Sequence, residues 1–205
     1  MLTTKLLAFG ITHLTDARYF AAWDADFLCF PIGMDGISMD YFIAIREWVE
    51  GPVCVAELGA DAGAMLSPEE LADLGVTHLL QTYGSPTAAY RQQGIALLTR
   101  LPVAGYQSIE DLSEQLSEVA DVVVLDFTEG GITYQDLCEG HPFSLDQLTE
   151  AIGDRKVFLR IELKGEEAQE IATNFHGLAL RGSSEEKVGY KSFDDIDALL
   201  ESLEA

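Results

Sequence analysis

The fold is decided near the start of the chain by Lys5-Leu6-Leu7-Ala8-Phe9-Gly10-Ile11-Thr12, followed shortly by Asp16-Ala17. An apolar run ends at a glycine, then comes a polar loop, then a helical pattern. A strand covered by helices on both faces reads this way, because it has no solvated face to alternate with a buried one. Parallel α/β folds place reactive groups at such strand–turn–helix junctions. Phe9, the last residue of the run, has nothing to titrate. The junction therefore has the form of a catalytic strand end without a proton-transfer group.

The same grammar recurs along the chain. Apolar runs of strand length stand at Lys5–Phe9, Asp26–Phe30, Val53–Leu58, His78–Gln81, Ile95–Leu101, Asp121–Asp126, Lys156–Ile161 and Gly177–Leu180. Helical patterns separate them. Ser38–Val49 carries Tyr41, Phe42, Ile45, Trp48 and Val49 at helical spacing. Ser67-Pro68-Glu69-Glu70 supplies a cap, a proline at the first helical position and a glutamate beyond it, the pattern of a capping box. Ser144-Leu145-Asp146-Gln147 repeats it, and Phe193–Leu203 closes the chain as an amphipathic helix. Eight strands alternating with about eight helices require a parallel sheet, and that number favours closure into a barrel. The expected architecture is one (β/α)8 TIM barrel over residues 1–205. Its loops must be short, because this length is near the lower limit for such a barrel. No linker, low-complexity stretch or charge block marks a second domain.

Composition narrows the function. The chain has 35 acidic and 12 basic residues, for a net charge of −23. A field of that sign repels nucleic acid and anionic lipid, so neither is an expected partner. No run of about 18 apolar residues is present, so no membrane span is expected. The N-terminal apolar run is too short for a secretory signal. Cys29, Cys54 and Cys138 fit no metal spacing, and an odd count argues against a disulfide framework. Cys29 and Cys54 read as small buried hydrophobes, and a reducing cytoplasm is the expected compartment. His13, His78, His141 and His176 show no ligand spacing. Dinucleotide and serine-nucleophile motifs are missing too. No metal or cofactor is expected.

The strand-end rule selects Phe9-Gly10, Phe30-Pro31, Glu57, Gln81, Arg100, Asp126, Arg160-Ile161-Glu162 and Arg181-Gly182-Ser183. In several of these segments the chain resembles the phosphoribosylanthranilate isomerase family of tryptophan biosynthesis, as a divergent relative. Gly10-Ile11-Thr12, Asp16-Ala17 and Ala25-Asp26-Phe27-Leu28 are similar to its N-terminal signature. Gln81 and Gly84 match its strand-four segment, and Arg100 its strand-five arginine. Ala120-Asp121-Val122-Val123-Val124-Leu125-Asp126 resembles the strand ending in the family's catalytic aspartate, and Gly130-Gly131 the glycine-rich loop beyond it. The resemblance implies an Amadori rearrangement of N-(5'-phosphoribosyl)anthranilate, with an aspartate as acid and a cysteine as base. It assigns the acid to Asp126, and substrate binding to Gln81, Arg100, Gly130, Gly131, Arg160, Arg181, Gly182 and Ser183.

Three positions depart from the family. Phe9 occupies the place of the base, with Cys29 at the neighbouring strand end as the available thiol. Ile161 and Glu162 occupy the glycine positions of the phosphate turn, where side chains obstruct close approach and a carboxylate repels phosphate. Asp35 falls near the arginine that handles the anthranilate carboxylate. Either Arg160, Lys164 and Arg181 together form another anion clamp, or Arg160 and Arg181 neutralise Glu162, Glu57 or Asp126. The sequence thus leaves an isomerase with an unidentified base, a repurposed barrel for a small phosphorylated or carboxylated ligand, and a partner-binding protein with a vestigial mouth. A monomer or homodimer is expected.

Overall fold

The computed structural model describes residues 2–33, 36–58, 66–85, 88–119, 122–163, 165–182, 185–187 and 190–204. Asp35, Lys164 and Ser183, each singled out above, lie outside them. Parallel strands β1 (Lys5–Phe9), β2 (Phe27–Pro31), β3 (Val53–Glu57), β4 (His78–Thr82), β5 (Ala96–Pro102), β6 (Val122–Asp126), β7 (Lys156–Arg160) and β8 (Gly177–Arg181) follow the expected runs to within a residue at either end. They pair in chain order, and β1 closes on β8 through the register Lys5↔Gly177 to Phe9↔Arg181. The result is a closed (β/α)8 barrel.

Period-two alternation divides every strand between two apolar layers. Leu7, Phe9, Cys29, Val55, Leu80, Leu98, Val124, Phe158 and Ala179 pack together in the barrel interior. Their chain neighbours Leu6, Ala8, Leu28, Ala56, Leu79, Leu97, Val123, Leu159 and Leu178 join the larger cluster under the helices. Phe158 fills the lower interior, edge-on to Phe27 at 5.9 Å between centroids. Burying one such side chain stabilises by about 1.5–3 kcal/mol.

The helices are α1 (Leu14–Ala22), α2 (Met39–Arg46), α3 (Pro68–Asp73), α4 (Ala88–Gln92), α5 (Ile109–Glu118), α6 (Tyr134–Glu139), α7 (Leu145–Ile152), α8 (Gly165–Asn174) and α9 (Asp194–Glu201). Capping boxes open α3 at Ser67, α5 at Ser108, α6 at Thr133 and α7 at Ser144; each cap contributes about 1 kcal/mol. Helix α2 stops short of the expected Val49. Its last turn tightens into i→i+3 bonds from Trp48 to Ile45 and Val49 to Arg46, and Pro52 follows. Between β6 and β7 stand two helices, because Gly140 leaves α6 in the left-handed region at φ 87°. After β8 comes a short antiparallel pair, β9 (Glu185–Lys187) with β10 (Tyr190–Lys191), where many barrels put a phosphate-binding helix. Among the described residues, no helix is long and apolar enough to cross a membrane.

Candidate functional site

The alternation that builds the interior also populates its mouth. Two residues beyond Leu7, Val55, Leu98, Val124, Phe158 and Ala179 come Phe9, Glu57, Arg100, Asp126, Arg160 and Arg181, all at the C-terminal strand ends. Register brings Asp126 beside Arg160 and Phe9 beside Arg181. The charged residues divide into two groups.

Asp126 centres the first. Its side chain is fully buried (0% exposed), against 21% for Arg100 and 17% for Arg160. Oδ2 accepts from Arg100 Nε at 2.8 Å and from Arg160 Nη1 at 2.6 Å. Oδ1 accepts from the Thr128 backbone N–H at 3.1 Å and its hydroxyl at 2.7 Å. Arg100 also reaches the exposed Glu129. The Arg160 guanidinium carbon sits 4.3 Å from the centroid of the Phe9 ring, a cation–π contact worth about 0.5–2 kcal/mol. Burial lowers the pKa of Arg160, opposed by its pairing with Asp126. Phe9 therefore has a part to play: its ring is the seat on which Arg160 reaches the aspartate.

Gly10 joins the second group. Its backbone N–H donates to Glu57 Oε2 at 2.9 Å. Burial raises the Glu57 pKa above the ordinary 4.5; the Gly10 bond and the charges of Arg100, Arg181 and Arg160 pull the other way. Gly10 adopts φ +66°, and a Cβ there would lie 3.2 Å from Arg181 Nε. Glycine thus suits both the left-handed turn and the close passage of the arginine. The Arg181 side chain is exposed and, among the described residues, makes no hydrogen bond or ion pair.

Other expected residues lie elsewhere or act differently. Gln81 shares the parity of the outward Leu79, and its Nε2 donates to Thr99 Oγ1 at 3.2 Å in the layer beneath the helices. The structure thus turns it away from the mouth. Cys29 is buried in the interior, and desolvation, followed by the charge of Glu57, raises its thiol pKa. A base needs the reverse, a stabilised thiolate, which the surroundings of Cys29 do not supply. Gly130 permits backbone packing, since a Cβ would meet Val103 O at 2.2 Å. Gly131, at φ +65°, continues that turn. At Gly182 a Cβ would sit 2.9 Å from Asp16 Cγ, so this glycine admits the first turn of α1. Ile161 is buried in the outer core and Glu162 is exposed, its backbone bridging Thr133. Glu57 was visible as a strand end; the further signal for it was its parity with the interior Val55.

No protein-family model and no curated protein sequence matches the chain. Solved structures do. Over 97% of this chain and 98% of the other, it superimposes on phosphoribosyl anthranilate isomerase from Thermus thermophilus with TM-score 0.68 and 22% identity. A phosphoribosyl anthranilate isomerase in complex with reduced 1-(o-carboxyphenylamino)-1-deoxyribulose 5-phosphate gives TM-score 0.66 at 17% identity, covering 98% of both chains. 3-Hexulose-6-phosphate synthase from Salmonella typhimurium gives 0.63 at 13%, over 97% of this chain and 98% of that one. These likenesses fix the class as a TIM barrel. Within it the chain is structurally similar, over nearly its full length and at low identity, to phosphoribosylanthranilate isomerases.

Proposed function

We propose that this isomerase-like barrel binds a small phosphorylated or carboxylated metabolite at its mouth and does not carry out the parental rearrangement. The anion seat is Arg181, with Gly182 and Ser183 the residues that follow it in the chain. The observation that carries the reading is the engagement of Asp126. Its two oxygens accept four hydrogen bonds, two of them from guanidinium groups. A general acid must hold a proton where a leaving oxygen can take it; this carboxylate faces cations instead. The parental base position holds Phe9, already occupied as the seat of Arg160. Arg100 and Arg160 are spent on Asp126, so the exposed Arg181 is left for ligand charge.

The complexed structural relative holds a ligand that carries both a phosphate and a carboxylate, consistent with this ligand class here. Sugar phosphates and carboxylates should raise the melting temperature of the wild-type protein, and Arg181→Ala should remove that rise while leaving unliganded stability within about 0.5 kcal/mol. The competing isomerase reading is favoured by the match of strand six, ending in Asp126. It requires rescue of a strain lacking phosphoribosylanthranilate isomerase and loss of substrate fluorescence on adding the protein. Turnover at a rate that sustains growth would overturn the proposal.

A further inference from the structure

We infer that Glu57 is the proton-transfer residue of this mouth, acting on a small anionic α-hydroxycarbonyl compound whose charge is held by Arg181. The inference rests on the ligand-binding reading above and names the substrate class for the same site. Its geometry contrasts with that of Asp126. Glu57 stands at an interior-facing strand end, half-buried, and Oε2 accepts one backbone hydrogen bond, from Gly10. Among the described residues it forms no ion pair. Arg181, at the end of β8, passes the same residue closely enough that a Cβ on Gly10 would meet its Nε at 3.2 Å. Carboxyl and guanidinium therefore flank one residue without being joined to each other.

That arrangement suits removal of a proton from carbon. A carboxylate is too weak a base to do so unless a neighbouring carbonyl acidifies the C–H bond, and partial desolvation strengthens it for the task. Burial raises its pKa, as the task requires. Glu57 takes the proton, the C–H electron pair becomes the C=C bond of an enediolate, and the carbonyl oxygen takes up the negative charge. Arg181 supplies positive charge on that side. Protonated Glu57 then returns its proton. Where the carboxyl proton has first been swapped for one from solvent, delivery to the same carbon exchanges the hydrogen. Delivery to the neighbouring carbon isomerises the compound, with the hydroxyl proton of the first carbon passing to solvent as its oxygen becomes the new carbonyl and a solvent proton neutralising the former enediolate oxygen. Composition is unchanged, and no oxidant or second substrate is consumed.

The test is deuterium uptake in heavy water, followed by NMR, with ribulose 5-phosphate and dihydroxyacetone phosphate as probes. Thermal stabilisation by the same probes is measured in parallel. Wild type should label the carbon beside the carbonyl at least about 100-fold faster than buffer. Glu57→Gln should lose that acceleration and keep the stabilisation, since its amide oxygen still accepts from Gly10. Stabilisation without labelling, or labelling that survives Glu57→Gln, overturns the role of Glu57 and leaves the binding reading standing. If neither probe stabilises nor labels with the wild-type protein, the binding reading falls and the proton-transfer role falls with it.

Discussion

The two halves of the mouth hold the same kinds of residue in opposite conditions. On one side Asp126, Arg100 and Arg160 are locked together, with Phe9 beneath and Thr128 alongside. On the other, Glu57 and Arg181 each meet Gly10, and among the described residues no ion pair joins them. A carboxylate saturated by cationic donors is a strut. One that is half-desolvated and singly bonded is a group with chemistry left to do. Strand-end position alone does not separate these roles, because both carboxylates satisfy it equally; the neighbours decide.

The largest effect should come from Asp126→Ala. It strands two mostly buried guanidinium groups, and removing one partner from such a network costs roughly 3–5 kcal/mol. Denaturant unfolding would show it, and a loss under about 1 kcal/mol would mean the strut bears nothing. Phe9→Cys should cost about 3 kcal/mol, as loss of a buried ring does. It should also fail to produce the parental rearrangement, as read by unchanged substrate fluorescence, because Asp126 remains tied. Recovery of turnover from this single change would break the contrast between the two sides. Gly10→Ala should cost about 1–2 kcal/mol through its left-handed φ. It should also displace Arg181 and so weaken ligand stabilisation, an effect that Gly94→Ala, at another left-handed turn with open space around it, should lack.

The smallest effect is the most diagnostic. Burial holds the Glu57 pKa above 4.5, so its ionised form is disfavoured in the folded protein. The stability associated with protonated Glu57 is full below the ordinary value and is lost as pH rises through the raised one. Glu57→Gln should therefore raise the melting temperature at neutral pH, with the gain vanishing as the pH is brought below 4.5. A gain that persists there would place its origin in packing.

Much of this was legible in the sequence. All eight barrel strands were, since a strand buried on both faces must be apolar throughout, as Val122–Leu125 is. So were Phe9, Glu57, Arg100, Asp126, Arg160 and Arg181 at the mouth, by the strand-end rule, which also selected the outward-facing Gln81. The pairings were not: whether Arg160 meets Asp126 or Glu57 depends on register around the barrel, which no local pattern encodes. Gln81 was misplaced because Leu79 and Leu80 are both apolar and the sequence does not reveal which of them faces the interior. Leu80 lies in the interior, so its neighbour had to face outward. The β9–β10 pair left no trace, because Glu185–Lys187 has neither apolar alternation nor β-branched residues.

The helix caps bear on selectivity. Helices α2, α3, α5 and α6 begin at the rim, and each spends first-turn N–H groups on its own Ser or Thr cap. A cradle of fixed backbone donors discriminates by shape, accepting a tetrahedral phosphate and rejecting what does not fit. A guanidinium at the end of a long exposed side chain accepts planar carboxylate and tetrahedral phosphate alike. With one first-turn donor of each of these helices held by its own cap, a ligand seated on Arg181 as proposed would be chosen by its charge more than by its shape.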